Sequence, residues 1–179
     1  MKQLTKIKLV ISDVDGVLTD GGLYYNEKGE ELKKFHVKDG LGIKMLLATG
    51  VKVAILSGGD SPLLRKRIEV LKIPYFLLGK MEKRTACLTL IEEAGVTPEE
   101  TAYIGDDTLD LPAFEVCGLS VAVGDAPEYI QKQADLILKK GGGQGAFREL
   151  SDMLLLSQGK EEVYSSAEGF MKVVDQMAQ

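Results

Sequence analysis

Short, mostly apolar runs recur along the chain with a spacing that suits a parallel sheet. Each run has three to five residues and ends in polar or glycine-containing sequence. Runs without a polar alternation are typical of strands that are buried on both faces. We therefore predict strands over Leu9–Ser12, Val53–Leu56, Tyr75–Leu78, Thr101–Ile104, Leu119–Val123 and Leu136–Leu138.

The segments between these runs carry helix patterns with recognisable ends. Ser61 before Pro62 is typical of an N-cap with proline in the first turn, and residues 97–100 form a capping-box sequence. The predicted helices are Leu41–Ala48, Leu63–Leu71, Glu82–Ala94, Leu109–Val116, Pro127–Ala134 and Phe147–Leu156. Strands that alternate with helices predict an α/β fold, a Rossmann-like parallel sheet with helices on both faces.

Three segments depart from this alternation. Residues 22–36 predict a small β-hairpin insertion, and no large cap domain is expected. The glycine cluster 141–145 indicates either a flexible connection or a backbone that approaches a ligand or a neighbouring subunit closely. After Gly159, apolar residues at steps of four and three predict an amphipathic helix that docks on this or another subunit. We expect one domain over residues 1–159 and a C-terminal tail over residues 160–179.

Composition restricts the partners and the compartment of the protein. The chain has 179 residues, 45% hydrophobic residues and a net charge of −5, which argues against nucleic acid or membrane as its main partner. No apolar run approaches the ~20 residues that span a bilayer. Two cysteines and the absence of a long apolar leader predict a cytoplasmic protein.

Aspartates follow two of the predicted strands. Asp13 and Asp15 come directly after the first strand, and Asp106 and Asp110 follow the fourth. Carboxylates at the carboxyl ends of parallel strands form an oxygen site that suits Mg²⁺ and phosphate chemistry. The plain alternative for Asp13 and Asp15 is an Asx-turn, which short acidic side chains favour.

Two further elements support the phosphate interpretation. Ser57 and Gly58 place a hydroxyl and a backbone amide at another strand end, and Lys83 lies at the start of the following helix. A calcium EF-hand is excluded because Val17 and Tyr24 occupy positions where its loop needs ligands. A signalling receiver domain is excluded because its phosphorylated aspartate should end the third strand. This chain has Leu78 and Gly79 at that place.

These motifs resemble the haloacid dehalogenase superfamily, whose phosphatases share four short motifs. The matches are Asp13–Leu18, Ser57, Lys83 and Gly105–Asp110. The resemblance implies that Asp13 is the nucleophile and that Asp15 is the general acid and base. It also implies that Lys83 balances the charge on Asp13 and on the phosphoryl oxygens. It also implies Mg²⁺ held by Asp13, the main-chain carbonyl of Asp15 and Asp106, and phosphate bound by Ser57, Gly58 and Lys83. Asp107 and Asp110 would orient the ligands and water.

Longer stretches are similar to the sugar-acid phosphate phosphatases of this superfamily. They are residues 13–20, 35–43, 105–112 and 141–146, and the similarity extends over nearly the whole chain. The resemblance implies hydrolysis of 3-deoxy-D-manno-octulosonate 8-phosphate in lipopolysaccharide precursor synthesis, by a homotetramer whose subunits cover each other's sites. The implied substrate-binding residues are His36, Val37, Lys38, Asp39, Gly40, Lys44 and Arg67. The cations Lys38, Lys44 and Arg67, taken singly, are equally well explained as surface charges on helices. Without the resemblance, His36 is explained as a surface or turn residue.

One position departs from the family pattern. The family commonly has arginine after the Ser/Thr-Gly of the second motif, whereas this chain has Gly59. A bidentate partner for a substrate carboxylate is therefore missing there. Two alternatives stay open: a phosphatase for another sugar-acid phosphate, such as a nonulosonate 9-phosphate, and a non-catalytic phosphosugar-binding subunit.

Overall fold

A six-stranded parallel sheet forms the centre of the protein. The computed structural model describes residues 3–178, without the side chains of Glu30, Glu31 and Ala178, so the outermost residues of the predicted domain and tail lie outside it. The strands are β1 (Leu9–Ser12), β2 (Tyr24–Asn26), β3 (Gly29–Leu32), β4 (Lys52–Leu56), β5 (Tyr75–Leu77), β6 (Thr101–Gly105), β7 (Leu119–Ala122) and β8 (Leu136–Ile137). The sheet order is β5-β4-β1-β6-β7-β8, and all its pairings are parallel.

The central strand β1 pairs with β4 on one side and β6 on the other. Leu9 is opposite Lys52 in β4 and Thr101 in β6, so the three strands end at the same edge of the sheet. All four residues of β1 and all five of β6 are buried, as the uninterrupted apolar runs predict. The predicted strands are confirmed, with ends that differ by one residue at several positions.

Helices cover both faces of the sheet. They are α1 (Val37–Ala48), α2 (Pro62–Leu71), α3 (Lys83–Glu93), α4 (Leu111–Phe114), α5 (Glu128–Gln131), α6 (Ala146–Ser157), α7 (Glu162–Ser165) and α8 (Ala167–Ala178). α1 packs against α6 and α8, and α3 packs against α4, β4 and β5. The expected N-cap is present at Ser61, whose hydroxyl accepts from the Leu64 N–H, and Glu82 caps α3 in the same way.

Three predicted helices differ from those observed. The helix predicted over Leu109–Val116 is a 3₁₀ turn, Thr108–Asp110, followed by the single-turn α4. The Asp110 carboxylate accepts from the backbone N–H groups of Asp106 and Asp107, which holds the tight turn. The predicted helix Pro127–Ala134 is reduced to α5, and α1 begins four residues earlier than predicted, with His36 as its N-cap.

The hairpin and the tail are both small additions to the sheet. β2 and β3 form an antiparallel pair within the predicted 22–36 segment, and the described residues contain no large cap domain. The tail forms α7 and α8, and α8 docks on α1 of the same chain. No helix among residues 3–178 is long and apolar enough to cross a membrane. The division into residues 1–159 and 160–179 stays a prediction.

Packing of α6 against the rest of the core gives a direct stability prediction. Leu154 and Leu156 both lie in α6, but Leu154 is 0% exposed and Leu156 is 53% exposed. Leu154→Ala should lower the free energy of unfolding by about 2–5 kcal/mol, because it leaves a cavity in a close-packed core. Leu156→Ala should cost less than about 1 kcal/mol. Urea denaturation measures both, and equal losses would contradict this assignment of the buried face.

Candidate active site

Three strand ends bring the predicted phosphate-chemistry residues into one cleft. Since β1 lies between β4 and β6, the residues that follow these three strands become neighbours at the carboxyl edge of the sheet. The cleft has a volume of about 390 Å³. Its lining consists of Asp13, Asp15, Ser57, Gly58, Gly59, Met81, Asp106, Asp107, Thr108 and Leu109.

A buried lysine connects two of the aspartates beneath the cleft. Lys83, the first residue of α3, is 0% exposed, and its Nζ lies 3.0 Å from Asp13 Oδ1 and 2.7 Å from Asp110 Oδ1. Burial alone acts to lower the pKa of Lys83, but the two carboxylates raise it above its usual value. Lys83 therefore stays charged and holds Asp13 in place.

Asp110 is saturated with hydrogen bonds. Its Oδ1 accepts from Lys83 Nζ and from the hydroxyl of the buried Tyr103, at 2.7 Å each. Its Oδ2 accepts from the backbone N–H groups of Asp106 and Asp107, at 2.8 and 3.2 Å. With both oxygens occupied, Asp110 supports the site and orients Asp106 through its backbone.

The carboxylates of the buried Asp13 and the half-buried Asp106 both lie close to other negative charges. Burial and the nearby Asp110 carboxylate raise the pKa of Asp13 to about 6, although Lys83 acts in the opposite direction. Burial, followed by the carboxylates of Asp110 and Asp13, raises the pKa of Asp106 to about 8. A divalent cation relieves this kind of repulsion.

The donor set fits such a cation. Carboxylate oxygens of Asp13, Asp106 and Asp110 all lie within 4.8 Å of one another. Because the Asp110 oxygens are already used, Asp13 and Asp106 are the side chains left to bind the metal. Hard oxygen ligands of this kind suit Mg²⁺ and similar divalent ions.

The turn after β4 provides a polar corner of the cleft. The Ser57 hydroxyl accepts a hydrogen bond from the Gly59 backbone N–H at 3.1 Å, which leaves its own hydrogen free to donate to an anion. Met81 and Leu109 pack close to Gly58, so that a Cβ at this glycine would be 3.3 Å from Met81 Sδ and 3.1 Å from Leu109 Cδ2. Phosphate binding by Ser57 and Gly58 stays a prediction.

Glycines bring the loops of the site into close contact. Gly16 has a φ of +90°, and a Cβ there would collide with the Asp106 carboxylate. The buried Gly142 packs in turn on the Gly16 carbonyl, and the Gly143 N–H donates to the Val17 carbonyl at 2.9 Å. The glycine cluster therefore packs closely on the loop after β1 of the same chain, whereas a ligand or a neighbouring subunit was the predicted partner and stays a prediction.

The seven predicted substrate-binding residues do not line the carboxylate cleft of their own chain. His36 and Lys38 line a separate cleft of about 770 Å³ between the start of α1 and α6, and Val37 is exposed beside them. Asp39 and Gly40 are buried, and Arg67 stacks over the Phe35 ring at 5.3 Å. Lys44 lies beside the tail. Their role in substrate binding stays a prediction.

Two residues of the site have no signal in the sequence. Tyr103 lies inside β6, where an aromatic residue is ordinary core, and its hydroxyl bonds to Asp110. Lys33 follows β3, and its Nζ lies 2.5 Å from Asp15 Oδ1. A lysine at the end of an exposed hairpin is usually solvated, so only the tertiary structure reveals this contact.

Comparisons with known proteins show the family to which the chain belongs. The haloacid dehalogenase-like hydrolase family matches residues 75–150. The 3-deoxy-D-manno-octulosonate 8-phosphate phosphatase KdsC of Haemophilus influenzae is 58% identical over 178 residues, which cover 99% of each protein. KdsC of Escherichia coli (strain B / BL21-DE3) is 44% identical over 160 residues, covering 89% of this chain and 85% of that protein.

Solved structures extend the similarity to three dimensions. The cobalt-bound form of the Haemophilus influenzae phosphatase has a TM-score of 0.93 and 59% identity, covering 94% of this chain and 99% of that one. The Moraxella catarrhalis phosphatase, in complex with magnesium, phosphate and KDO, has a TM-score of 0.87 and 36% identity, covering 91% and 94%. With this identity over nearly its whole length, the chain is a phosphatase that belongs to the 3-deoxy-D-manno-octulosonate 8-phosphate phosphatase family of the haloacid dehalogenase superfamily.

Proposed function

We propose that this protein hydrolyses 3-deoxy-D-manno-octulosonate 8-phosphate to the free sugar acid and phosphate, with Mg²⁺ bound and through an aspartyl-phosphate on Asp13. The observation that carries the proposal is the single cleft that combines Asp13, Asp15, Ser57 and Asp106 above the buried Lys83. The 58% identical relative supports the substrate. The proposed setting is the cytoplasm, in lipopolysaccharide precursor synthesis.

In the proposed scheme, Asp13 attacks phosphorus. Lys83 holds its Oδ1 at 3.0 Å, which leaves the second oxygen for the new bond. Asp15 donates a proton to the leaving sugar alkoxide and then takes a proton from the water that hydrolyses the acyl-phosphate. Ser57 donates its hydroxyl hydrogen to a phosphate oxygen, and Lys83 balances the negative charge in the site.

Asp13, Asp106 and the main-chain carbonyl of Asp15 are the groups proposed to hold the metal. Bound Mg²⁺ supplies charge neutralisation and alignment of the phosphoryl group for in-line displacement. Asp110 fixes the backbone of Asp106 and Asp107, so the metal-binding side chain starts from a rigid turn.

Gly59 favours a second candidate substrate. It lines the cleft without a side chain, and a Cβ there would lie 3.6 Å from Asp15 Oδ2. An arginine at this position would present a carboxylate partner to the substrate, and this chain lacks it. The second candidate is therefore hydrolysis of another sugar-acid phosphate, such as a nonulosonate 9-phosphate.

Phosphate release from the octulosonate 8-phosphate tests the proposal. Asp13→Asn should lower kcat at least about 1,000-fold, because the nucleophile is lost. Asp15→Asn should lower it about 100- to 10,000-fold, because proton transfer to the sugar oxygen is lost. Thermal denaturation controls for folding. A near-normal kcat in Asp13→Asn would contradict the covalent scheme, and a higher kcat/KM for the nonulosonate 9-phosphate would favour the second candidate.

Metal binding should be visible without any turnover. At a Mg²⁺ concentration of about 100 times Kd, the wild-type protein should melt about 5–10 °C higher than in EDTA, since the ion binds only the folded state. Asp106→Asn should lose most of this shift because a metal ligand is removed. Asp175→Asn, an exposed change in α8, is the matched control and should keep it. A full shift in Asp106→Asn would contradict the proposed ligand set.

We also propose that the protein is a homotetramer. The hairpin presents exposed apolar side chains, namely Leu23, Tyr24, Tyr25 and Leu32, and such patches are typical of protein interfaces. The small hairpin is too short to enclose a sugar phosphate within one chain. Sedimentation velocity should give a species of four chains, and Tyr25→Glu should shift it towards smaller species. A wild-type monomer that is fully active at nanomolar concentration would contradict this proposal.

A further inference from the structure

Asp15 is held by a lysine from the hairpin. Lys33 Nζ lies 2.5 Å from Asp15 Oδ1, and the Lys33 side chain is only 4% exposed whereas that of Asp15 is 35% exposed. The same Oδ1 lies 3.4 Å from the Thr19 hydroxyl, which is a weak contact. A charge-assisted bond at this distance to a buried ammonium is therefore the strongest restraint seen on the Asp15 side chain.

The two oxygens of Asp15 face different surroundings. Oδ1 is directed to Lys33. Oδ2 faces Gly59, since a Cβ added to that glycine would lie 3.6 Å from this oxygen. Gly59 lines the catalytic cleft together with Ser57. Lys33 therefore holds one oxygen on the hairpin side and turns the other towards the space where the substrate reacts.

A neighbouring ion pair on the same hairpin provides a contrast. Lys34 Nζ lies 2.7 Å from Asp20 Oδ2, but the Lys34 side chain is 59% exposed. Exposed pairs of this kind contribute little, since water competes for both charges. The Lys33 pair differs because the Lys33 side chain is shielded from water, so that solvent competes less for its charge.

We propose that Lys33 is a positioning residue that orients Asp15 for proton transfer to the leaving group. The inference rests on the proposed phosphatase function and adds a role for the hairpin inside its own subunit. A general acid must lie within hydrogen-bond reach of the atom that it protonates, and small displacements from that geometry are costly. Without Lys33, the half-exposed Asp15 carboxylate is free to turn towards water.

The leaving group provides the test. In Lys33→Met, kcat/KM for the octulosonate 8-phosphate should fall about 10- to 100-fold. This is only a part of the full contribution of general acid catalysis, because Asp15 itself is retained. For p-nitrophenyl phosphate, kcat/KM should change less than about 3-fold, because nitrophenolate leaves with little need of a proton. The value of kcat/KM includes only the steps up to departure of the leaving group. The later attack of water on the aspartyl-phosphate therefore does not affect the comparison. Lys33→Arg should restore most of the sugar-phosphate activity.

Lys34→Met is the matched control, with the same change in charge and length one residue away. It should leave kcat/KM for both substrates within about 2-fold of the wild type. Equal losses on both substrates in Lys33→Met, or losses no larger than in Lys34→Met, would overturn the inference while leaving the phosphatase function intact. A wild-type protein that hydrolyses neither substrate would overturn the proposed function and this inference together.

Discussion

The buried ammonium of Lys83 is the charge on which the site depends. It lies 3.0 Å from Asp13 and 2.7 Å from Asp110, and none of its side chain reaches solvent. A buried lysine without partners costs several kcal/mol, and buried carboxylates carry a similar penalty. Each group is tolerated only because the others are present, so the start of α3, the end of β1 and the turn after β6 must be placed together.

This constraint separates the carboxylates into different tasks. Asp110 is saturated by Lys83, Tyr103 and two backbone N–H groups, which makes it part of the scaffold. Asp13 and Asp106 are left with raised pKa values, because burial and mutual repulsion disfavour their charged forms. A divalent cation bound beside these two carboxylates would offset this repulsion.

Local sequence signals predicted the architecture well where each element depends on its own residues. The strands, the cap at Ser61 and the hairpin follow from apolar runs, capping chemistry and turn sequence. The prediction failed over Leu109–Val116, because periodicity cannot show that the Asp110 side chain is bonded to the backbone before it. Lys33 was missed for a similar reason: its partner Asp15 is 18 residues away in the chain.

By itself, the sequence determined the α/β fold, the four motifs and the set of groups that phosphate chemistry needs, because these follow from residue type and short-range spacing. Only the tertiary structure decided which carboxylate is saturated, which oxygen of Asp15 faces the cleft, and that His36 and Lys38 lie in another cleft. These properties depend on distances between segments far apart in the chain, and on burial, which changes the energy of every charge. Neither the distances between these segments nor the burial of a side chain can be read from a short stretch of sequence.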